Sequence, residues 1–290
     1  MTKTEIGGHT RLCGLIGNPV EHTVSPLIHN TLAGLLGHDL VYVPFHVEKN
    51  RLMDAVKGAY GLNILGLNVT VPYKSDVLGA LAQTDPLAEK IGAVNTLVRT
   101  EGGYKGYNTD ISGLYRAMKS EGIEIEGAEI ALFGAGGAAR AAAFLCGEKK
   151  AKKVYLLNRS LEKAKSLADE VNRAFERECL EPMALSDYEA LPSRPLLAIQ
   201  GTSVGLHPDV ERTVIEDPEF YRRIHTAYDL IYNPEETKFM RRVREAGGKA
   251  YNGLKMLLYQ GIAAYELWNK VEVSQDMIQE IYRLLQEKNR

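Results

Sequence analysis

A glycine-rich turn in the segment EIALFGAGGAAR, residues 129–140, points most directly to chemistry. The apolar run before Gly134 predicts a strand, and the alanine-rich run after it predicts a helix. Gly134 allows a sharp turn between the two, and Gly136 lets bare backbone approach a phosphate. The N–H groups of the helix N-terminus then attract an anion. The segment therefore predicts a site for the pyrophosphate of a dinucleotide, with Ala139 small enough for close packing of the helix on the strand.

The strand that follows this helix ends in Asn158, Arg159 and Ser160. A dinucleotide site that binds the ribose 2′-hydroxyl has a carboxylate about 20 residues after the turn. An arginine cannot accept that hydroxyl proton, whereas its planar guanidinium suits a 2′-phosphate. Lys163, one helical turn further on, adds positive charge. We therefore expect NADP as the cofactor; the alternative is that Arg159 is a solvated surface side chain.

Length and composition restrict the class of protein. A chain of 290 residues is too long for a single doubly wound core of about 150 residues, so two domains are expected. The net charge of −2 gives no reason to expect a nucleic-acid partner. Three scattered cysteines, expected to act as small core hydrophobes, and the lack of an apolar signal core favour a cytoplasmic protein.

Composition and spacing also bear on three further kinds of partner: a membrane, a metal ion and a small molecule. No uninterrupted apolar run approaches the length of about 18 residues that a membrane helix needs, so no membrane partner is expected. The seven histidines show no metal-ligand spacing, so no metal is expected. The expected partner is a small-molecule substrate, and the sequence leaves open whether the chain is a monomer or a homodimer.

Several polar residues of the first half stand at the predicted ends of helices and strands. Ser25 is predicted to cap a helix whose first residue is the following proline. Pro72 is predicted to end a strand and to begin a helix that carries Lys74 in its first turn. Asp110 is predicted to cap the next long helix, which follows it directly. Element ends of this kind are where binding side chains are commonly held.

Hydrophobic periodicity predicts the surrounding architecture. Residues 64–71 alternate as in a strand, which places Asn68 and Thr70 on one face, where both can reach one ligand. From about residue 125 to 250, strands alternate with helices, the pattern of a parallel doubly wound sheet. Two further helices, 254–269 and 275–287, are expected to pack back on the N-terminal domain.

Nine polar and glycine-containing segments together resemble the shikimate dehydrogenase family, and the resemblance runs nearly the whole length of the chain. The segments are residues 14–30, 66–74, 92–97, 106–110, 134–140, 158–160, 201–206, 229–237 and 252–268. The resemblance implies NADPH-dependent reduction of 3-dehydroshikimate to shikimate, a step of the chorismate pathway to aromatic amino acids. It also implies an α/β fold of two domains.

The two domains are expected to have different tasks. Residues 1–110 with 253–290 would form a substrate-binding and catalytic α/β domain that the C-terminal helices complete. Residues 111–252 would form a Rossmann-type, doubly wound NADP-binding domain. Substrate and cofactor would then meet in a cleft between the two.

By the same resemblance, Lys74 and Asp110 form the catalytic pair. Hydride transfer to a ketone leaves an alkoxide, which needs a proton from a positioned acid. Lys74 is assigned as the proton donor, and Asp110 as its orienting partner or as a proton relay. Asp110 attracts the ammonium group, whereas the N-terminus of the predicted helix would oppose its charge by roughly 0.3–1 kcal/mol.

The resemblance also implies the residues that bind substrate and cofactor. Thr23 and Ser25 would bind the substrate carboxylate; the family usually has serine at both positions, so the methyl group of Thr23 should narrow the pocket. The remaining substrate-binding residues would be Asn68, Thr70, Asn95, Tyr232 and Gln260. The expected cofactor-binding residues are Gly134, Ala135, Gly136, Gly137, Ala138, Asn158, Arg159, Ser160, Lys163, Thr202, Leu230 and Gly253, with Thr202 and Gly253 near the nicotinamide.

Two other functions remain open at this point. One is a dual quinate/shikimate dehydrogenase with relaxed or NAD cofactor preference. Asn158 and Arg159 argue against an NAD preference, although Glu162 lies nearby. The other is a non-catalytic NADP-binding sensor, which would be expected to have lost Lys74 or Asp110; both are present.

Overall fold

Contacts within the computed structural model, which describes residues 6–289, divide the chain into two units. One unit runs up to Gly113 and resumes at Leu258, and the other is Leu114–Leu257. Each unit contains one six-stranded sheet with helices, so the predicted two-domain α/β fold is confirmed. The functional boundaries at residues 110 and 253 stay predictions. Residues 1–5 and 290 of the expected first domain lie outside the described residues.

The sheet of the first unit mixes parallel and antiparallel strands in the order β2-β1-β3-β5-β6-β4. Strand β1 is parallel to β2 and β3, whereas β5 is antiparallel to β3 and β6. Because β1 and β3 run in the same direction, the segments that follow them lie side by side, and Asn18 N–H donates to the Val71 carbonyl at 3.1 Å. The strands β1 to β6 are Arg11–Gly17, Leu40–His46, Gly66–Val69, Gln83–Thr84, Thr96–Thr100 and Gly103–Tyr107.

Helices of the first unit flank this sheet, and the boundaries between the units fall within two of them, α4 and α9. The single tryptophan, Trp268 of α9, donates its indole N–H to the Leu97 carbonyl at 2.8 Å, so this C-terminal helix packs on the first sheet, as expected. A Cβ atom at Gly66 would overlap the Trp268 ring. The helices are α1 Ser25–Leu36, α2 Leu52–Gly61, α3 Pro86–Ile91, α4 Thr109–Ser120, α9 Leu254–Asn269 and α10 Gln275–Asn289.

The predicted capping roles of Ser25 and Asp110 are wrong, because each residue lies inside its helix. Helix α1 starts at Ser25 itself, whose N–H is bound by the Thr23 hydroxyl at 3.2 Å. Helix α4 starts one residue before Asp110, and the Asn108 side-chain oxygen accepts the Asp110 N–H at 3.1 Å. Asparagine is a strong N-cap residue, and it takes the role predicted for Asp110.

The predicted helix at Pro72 is also wrong. Residues 71–75 form turns, and the next helical segment is a short 3₁₀ helix, Asp76–Ala80. The Lys74 carbonyl accepts the Val94 N–H at 2.7 Å, so it bonds to a neighbouring segment and not along a helix. No α-helix begins at Lys74, and the expected opposition of a helix N-terminus to its charge does not apply.

The sheet of the second unit is parallel throughout, with the order β12-β11-β10-β7-β8-β9. Numbered from its own first strand, this is the doubly wound order 3-2-1-4-5-6. The strands β7 to β12 are Glu129–Phe133, Lys153–Asn158, Leu180–Ala184, Leu196–Gln200, Ile224–Asp229 and Lys249–Tyr251. The helices α5 to α8 are Gly137–Glu148, Leu161–Phe175, Pro218–Tyr221 and Lys238–Glu245.

The three cysteines are free and buried, which confirms that they act as core hydrophobes. Burial raises the pKa of the Cys13 thiol to about 12. None of the helices formed by residues 6–289 combines the length and apolar character needed to cross a membrane.

The contact of Gly66 with Trp268 predicts a stability effect. Gly66→Ala should lower the free energy of unfolding by about 1–3 kcal/mol, because a methyl group there overlaps the indole ring. Urea unfolding followed by Trp268 fluorescence measures the change. Gly58→Ala in α2 is the control, since a methyl group there meets open space. A Gly66→Ala variant as stable as wild type would show that α9 does not pack closely on this sheet.

Candidate active site

Lys74 and Asp110 form an ion pair in the first unit. Lys74 Nζ lies 2.6 Å from Asp110 Oδ2, and the two side chains are 34% and 17% exposed. Both are therefore partly desolvated yet open to a ligand. A charge-assisted hydrogen bond of this length is among the stronger polar contacts in proteins.

Asn95 holds the other oxygen of the Asp110 carboxylate. Its Nδ2 donates to Asp110 Oδ1 at 2.9 Å. Its Oδ1 accepts the backbone N–H of Thr109 at 2.7 Å, and a backbone N–H can only donate. The orientation of the amide is thereby fixed, with the nitrogen toward the carboxylate. Asn95 is buried, so this geometry does not depend on solvent.

Asn68 lies beside Asn95 and is also buried. Its Nδ2 donates to the Asn95 carbonyl at 3.3 Å and to Thr96 Oγ1 at 3.1 Å, which uses both amide hydrogens. Its Oδ1 accepts the Tyr42 hydroxyl at 2.8 Å. Asn68 can therefore offer a ligand only the remaining acceptor capacity of Oδ1.

Burial keeps Tyr42 a neutral donor in this network. Desolvation raises the pKa of the Tyr42 hydroxyl well above its usual value, and a hydrogen bond with Ser25 opposes part of that rise. Through Tyr42, the hydroxyl of Ser25 is thus connected to the amide of Asn68. The candidate carboxylate site and the candidate ring-hydroxyl site share one polar network within the first unit.

Thr23 and Ser25 present two adjacent hydroxyl groups at the start of α1. Thr23 Oγ1 donates to Ser25 Oγ at 3.1 Å and accepts the Ser25 N–H at 3.2 Å. The residue before the helix, Val24, supplies no side-chain cap. Two hydroxyls at a helix N-terminus are suited to a carboxylate.

Thr70 and Gln260, the two remaining candidates of this unit, are half-buried. A Cβ atom at Gly17 would overlap the Thr70 methyl group, so the glycine makes room for this side chain. A Cβ atom at Gly113 would lie 2.6 Å from the Gln260 backbone nitrogen, so α4 and α9 pack closely there. Gln260 is thereby held beside Gly113, which lies three residues beyond Asp110 on helix α4.

The glycine turn of the second unit has the predicted shape. Gly134 has φ +104°, and a Cβ atom there would lie 2.9 Å from the Thr202 methyl group. Gly136 is the residue before α5 and has no side chain, so it satisfies none of the first N–H groups of the helix with a side-chain cap. Cβ atoms at Gly136 and Gly137 would meet open space. Ala135 is half-buried and Ala138 is exposed.

Close packing behind this turn also agrees with the prediction. A Cβ atom at Gly201 would lie 2.8 Å from the Cα and Cβ atoms of Ala139, so the start of α5 touches the segment after β10. Ala139 is fully buried. A larger side chain at either position would push the helix away from the sheet.

Arg159 is exposed at the end of β8 and lines a cavity of about 540 Å³ together with Tyr188, Glu216 and Asp217, among others. Asn158 donates to the Ser160 carbonyl at 2.9 Å, and the Ser160 hydroxyl caps α6 by accepting the Lys163 N–H at 3.4 Å. The Lys163 side chain is exposed. Glu162 is exposed, and its Oε1 lies 3.4 Å from Lys165 Nζ.

The remaining candidates lie on the segments that follow β10, β11 and β12. Thr202 N–H donates to the side chain of Gln200, and Leu230 N–H donates to the Gln200 carbonyl. A Cβ atom at Gly253 would overlap the Leu230 carbonyl, so this glycine is required by a contact inside the protein. Tyr232 is half-buried, and burial raises its pKa.

Asp229, at the end of β11, holds the segment that carries Leu230 and Tyr232. Its carboxylate accepts the Thr237 hydroxyl at 2.6 Å and the Ile231 N–H at 3.0 Å. Desolvation outweighs these two bonds and raises the pKa of Asp229 to about 7. The side chain is fully buried.

A doubly wound sheet with a glycine turn, together with a fixed lysine–carboxylate pair, is typical of a Rossmann-type dehydrogenase of two domains. Residues 15–97 match the family model of the shikimate dehydrogenase substrate binding domain, and residues 116–191 match that of shikimate / quinate 5-dehydrogenase. The chain belongs to the shikimate dehydrogenase family.

Individual relatives agree with the family model. The chain is 40% identical to the shikimate dehydrogenase (NADP(+)) of Desulforamulus reducens, over 97% of each chain. A crystal structure of a shikimate dehydrogenase in complex with NADP⁺ has a TM-score of 0.90 and 33% identity, covering 100% of this chain and 99% of that one. The shikimate 5-dehydrogenase of Listeria monocytogenes in complex with shikimate and NAD has a TM-score of 0.88 and 32% identity, covering 96% and 98%.

Several residues that support the site were not predicted from the sequence. Tyr42, Thr96, Thr109 and Gln200 are buried or nearly so, and each binds a predicted site residue. The only local signal was position, since Thr96 follows Asn95 and Thr109 precedes Asp110 in the sequence. Gln200 lies two positions before its partner Thr202. Tyr42, Thr96 and Thr109 bind partners that are 26, 28 and 14 positions away, and nothing in a local pattern indicates those contacts.

The raised pKa of Asp229 predicts a pH dependence of stability. Below about pH 4 the carboxyl is protonated in both the folded and the unfolded chain, and its contribution to the free energy of unfolding is fully present. As the pH rises to about 7, the unfolded chain ionises first, and the free energy of unfolding falls by up to about 4 kcal/mol. Asp229→Asn removes this loss.

Urea unfolding across that pH range measures the difference between Asp229→Asn and wild type. The variant should gain stability relative to wild type as the pH rises. Exposed Asp209→Asn, in the same unit, is the control and should follow wild type. Parallel profiles for Asp229→Asn and wild type would contradict the raised pKa.

Proposed function

We propose that this chain is an NADP-dependent dehydrogenase that reversibly reduces 3-dehydroshikimate to shikimate in aromatic amino acid biosynthesis. The observation that carries the proposal is the Lys74–Asp110 pair, whose carboxylate is held by the fixed amide of Asn95. Residues 1–110 with 253–290 would bind substrate and residues 111–252 would bind NADP, as the family match and the glycine turn support.

Lys74 supplies the proton in this proposal. Reduction of the ketone leaves an alkoxide on the substrate, and a positioned acid must protonate it. The Lys74 ammonium has three hydrogens, of which one points to Asp110 Oδ2. The others are available to the substrate oxygen. Asp110 orients the ammonium, and after turnover it can relay a proton from solvent to Lys74.

The polar side chains of the first unit bind the substrate. The hydroxyls of Thr23 and Ser25 bind the carboxylate, assisted by the N-terminus of α1. The ring hydroxyls are assigned to Thr70, Asn95, Asp110 and Gln260, while Asn68 contributes Oδ1 alone. Tyr232, which belongs to the second unit, is the remaining candidate contact.

The second unit has the features that NADP needs. The open space at Gly136 and Gly137 admits a pyrophosphate close to the first N–H groups of α5. Exposed Arg159 and Lys163 are suited to a 2′-phosphate, with Asn158 and Ser160 beside them. When bound, NADPH supplies the hydride. The other residues assigned to the cofactor are Gly134, Ala135, Ala138, Thr202, Leu230 and Gly253.

Steady-state assays of the purified protein test this proposal. Shikimate and quinate are each offered with NADP⁺ and with NAD⁺. We expect turnover with shikimate and NADP⁺ to exceed the other three combinations. Comparable turnover of quinate or with NAD⁺ would favour the dual dehydrogenase, which the family description shikimate / quinate 5-dehydrogenase makes a specific alternative. No turnover with any pair would favour the NADP-binding sensor.

We place the enzyme in the cytoplasm, as a monomer or a homodimer. Three free, buried thiols suit a reducing compartment, where structural disulfides are rare. Light scattering of the purified protein distinguishes the monomer from the homodimer.

Replacing the proposed acid should slow the reaction. Lys74→Ala is expected to lower kcat by a factor on the order of 10²–10⁴, the usual contribution of a positioned acid. NADPH affinity should change little, because Lys74 is assigned to the substrate. Lys57→Ala, an exposed lysine on α2, is the matched control. Near-normal turnover of Lys74→Ala would remove this residue from the mechanism.

Replacing the proposed phosphate ligand should separate the two nucleotides. Arg159→Ala is expected to weaken NADPH binding about tenfold or more, because a charge-assisted contact is lost. NADH binding should be nearly unchanged, as it lacks the 2′-phosphate. Lys165→Ala removes one exposed positive charge from the following helix and serves as the control. An equal loss of affinity for both nucleotides would contradict this role.

A further inference from the structure

The hydroxyl of Thr96 lies where the two asparagine side chains of the site meet. Thr96 is fully buried at the start of β5. Asn68 Nδ2 donates to Thr96 Oγ1 at 3.1 Å, and Thr96 Oγ1 donates to Asn95 Oδ1 at 3.1 Å. One hydroxyl group therefore joins the Asn68 amide to the Asn95 amide that holds Asp110.

Thr109 completes a triangle of oxygen atoms with Thr96 and Asn95. The two threonine hydroxyls are 3.0 Å apart, and Thr109 Oγ1 lies 3.1 Å from Asn95 Oδ1. Each hydroxyl has one proton, so the two cannot donate to each other at once. Within the triangle, at least one of them must donate to Asn95 Oδ1. The oxygen side of the Asn95 amide therefore faces donors.

Loss of the Thr96 hydroxyl would affect both amides together. Asn68 Nδ2 would lose one of its two acceptors, and Asn95 Oδ1 would lose one of the two hydroxyl groups that can donate to it, with the Thr109 N–H remaining. Buried polar groups without partners are costly, so the amides should shift to find new ones. A shift of Asn95 moves the oxygen of Asp110 that it holds, and with it the carboxylate beside Lys74.

We propose that Thr96 is a positioning residue that couples the Asn68 amide to the acid–base pair through Asn95. The proposal rests on the proposed function. It assigns the effect to the hydroxyl and not to the methyl group, and it assigns the effect to the rate of the chemical step and not to nucleotide binding.

Two substitutions separate the hydroxyl from the methyl group. Thr96→Val keeps the shape of the side chain and removes the hydroxyl, whereas Thr96→Ser keeps the hydroxyl and removes the methyl group. We expect Thr96→Val to lower kcat for shikimate oxidation about tenfold, which is the effect of leaving buried polar partners unpaired. Its KM for NADP⁺ should stay within about twofold, and Thr96→Ser should stay within about threefold of the wild-type kcat.

A double-mutant cycle with Asp110→Asn tests whether Thr96 acts through Asp110. If it does, Thr96→Val should change kcat by less than about twofold when Asp110→Asn is already present. If the factors by which Thr96→Val and Asp110→Asn lower kcat simply multiply in the double variant, the two residues act independently and the proposal is overturned. A Thr96→Val enzyme with the wild-type kcat would also overturn it, as would a Thr96→Ser enzyme as slow as Thr96→Val, since the methyl group would then matter.

The same measurements distinguish this proposal from the proposed function. A wild-type protein that does not oxidise shikimate overturns both. An active wild-type protein with an unchanged Thr96→Val variant overturns only the role of Thr96. Should Thr96→Val fail to fold, Thr96→Ala, which removes the same hydroxyl without adding a methyl group, is measured in its place with the same expected result.

Discussion

The contact between Lys74 and Asp110 depends on buried groups that hold the carboxylate oxygen not bound by Lys74. An ion pair between solvated side chains contributes little and samples many geometries. Here Asn95 fixes the second carboxylate oxygen, and a backbone N–H fixes Asn95. The geometry of the Lys74–Asp110 pair is therefore fixed before a ligand binds. Preorganised polar groups of this kind are a major source of catalytic effect, because little reorganisation is needed during the reaction.

The register of the first sheet places this network. Asn68 on β3 lies opposite Thr96 on β5, and Thr96 lies opposite Tyr107 on β6. A slip of one residue would turn Asn68 to the other face of the sheet. The segment after β3 is tied to the same region by the bond from Val94 N–H to the Lys74 carbonyl. Strand pairing therefore brings Lys74, the proposed acid, and its partners together, although they lie on several separate elements.

The sequence predicted what local patterns determine and missed what distant contacts determine. The strand, glycine turn and helix around Gly134 are encoded by neighbouring residues, and the structure agrees with them. Helix starts were less well predicted, because Asn108 and Asp110 are both suitable capping residues and lie only two positions apart. Lys74 was placed on a helix because a proline often begins one; its carbonyl bonds to Val94 instead. Thr96 was missed because its bond to Asn68 crosses 28 positions of the chain.

A crystal structure with bound shikimate would show whether Lys74 reaches the reacting atoms of the substrate. The measured quantity is the distance from Lys74 Nζ to the hydroxyl at the carbon that is oxidised. We expect about 2.6–3.2 Å, the reach of a general acid or base, with Asp110 still bound to Asn95. A shikimate carboxylate at Lys74, or that hydroxyl out of hydrogen-bond reach of both Lys74 and Asp110, would contradict this expectation.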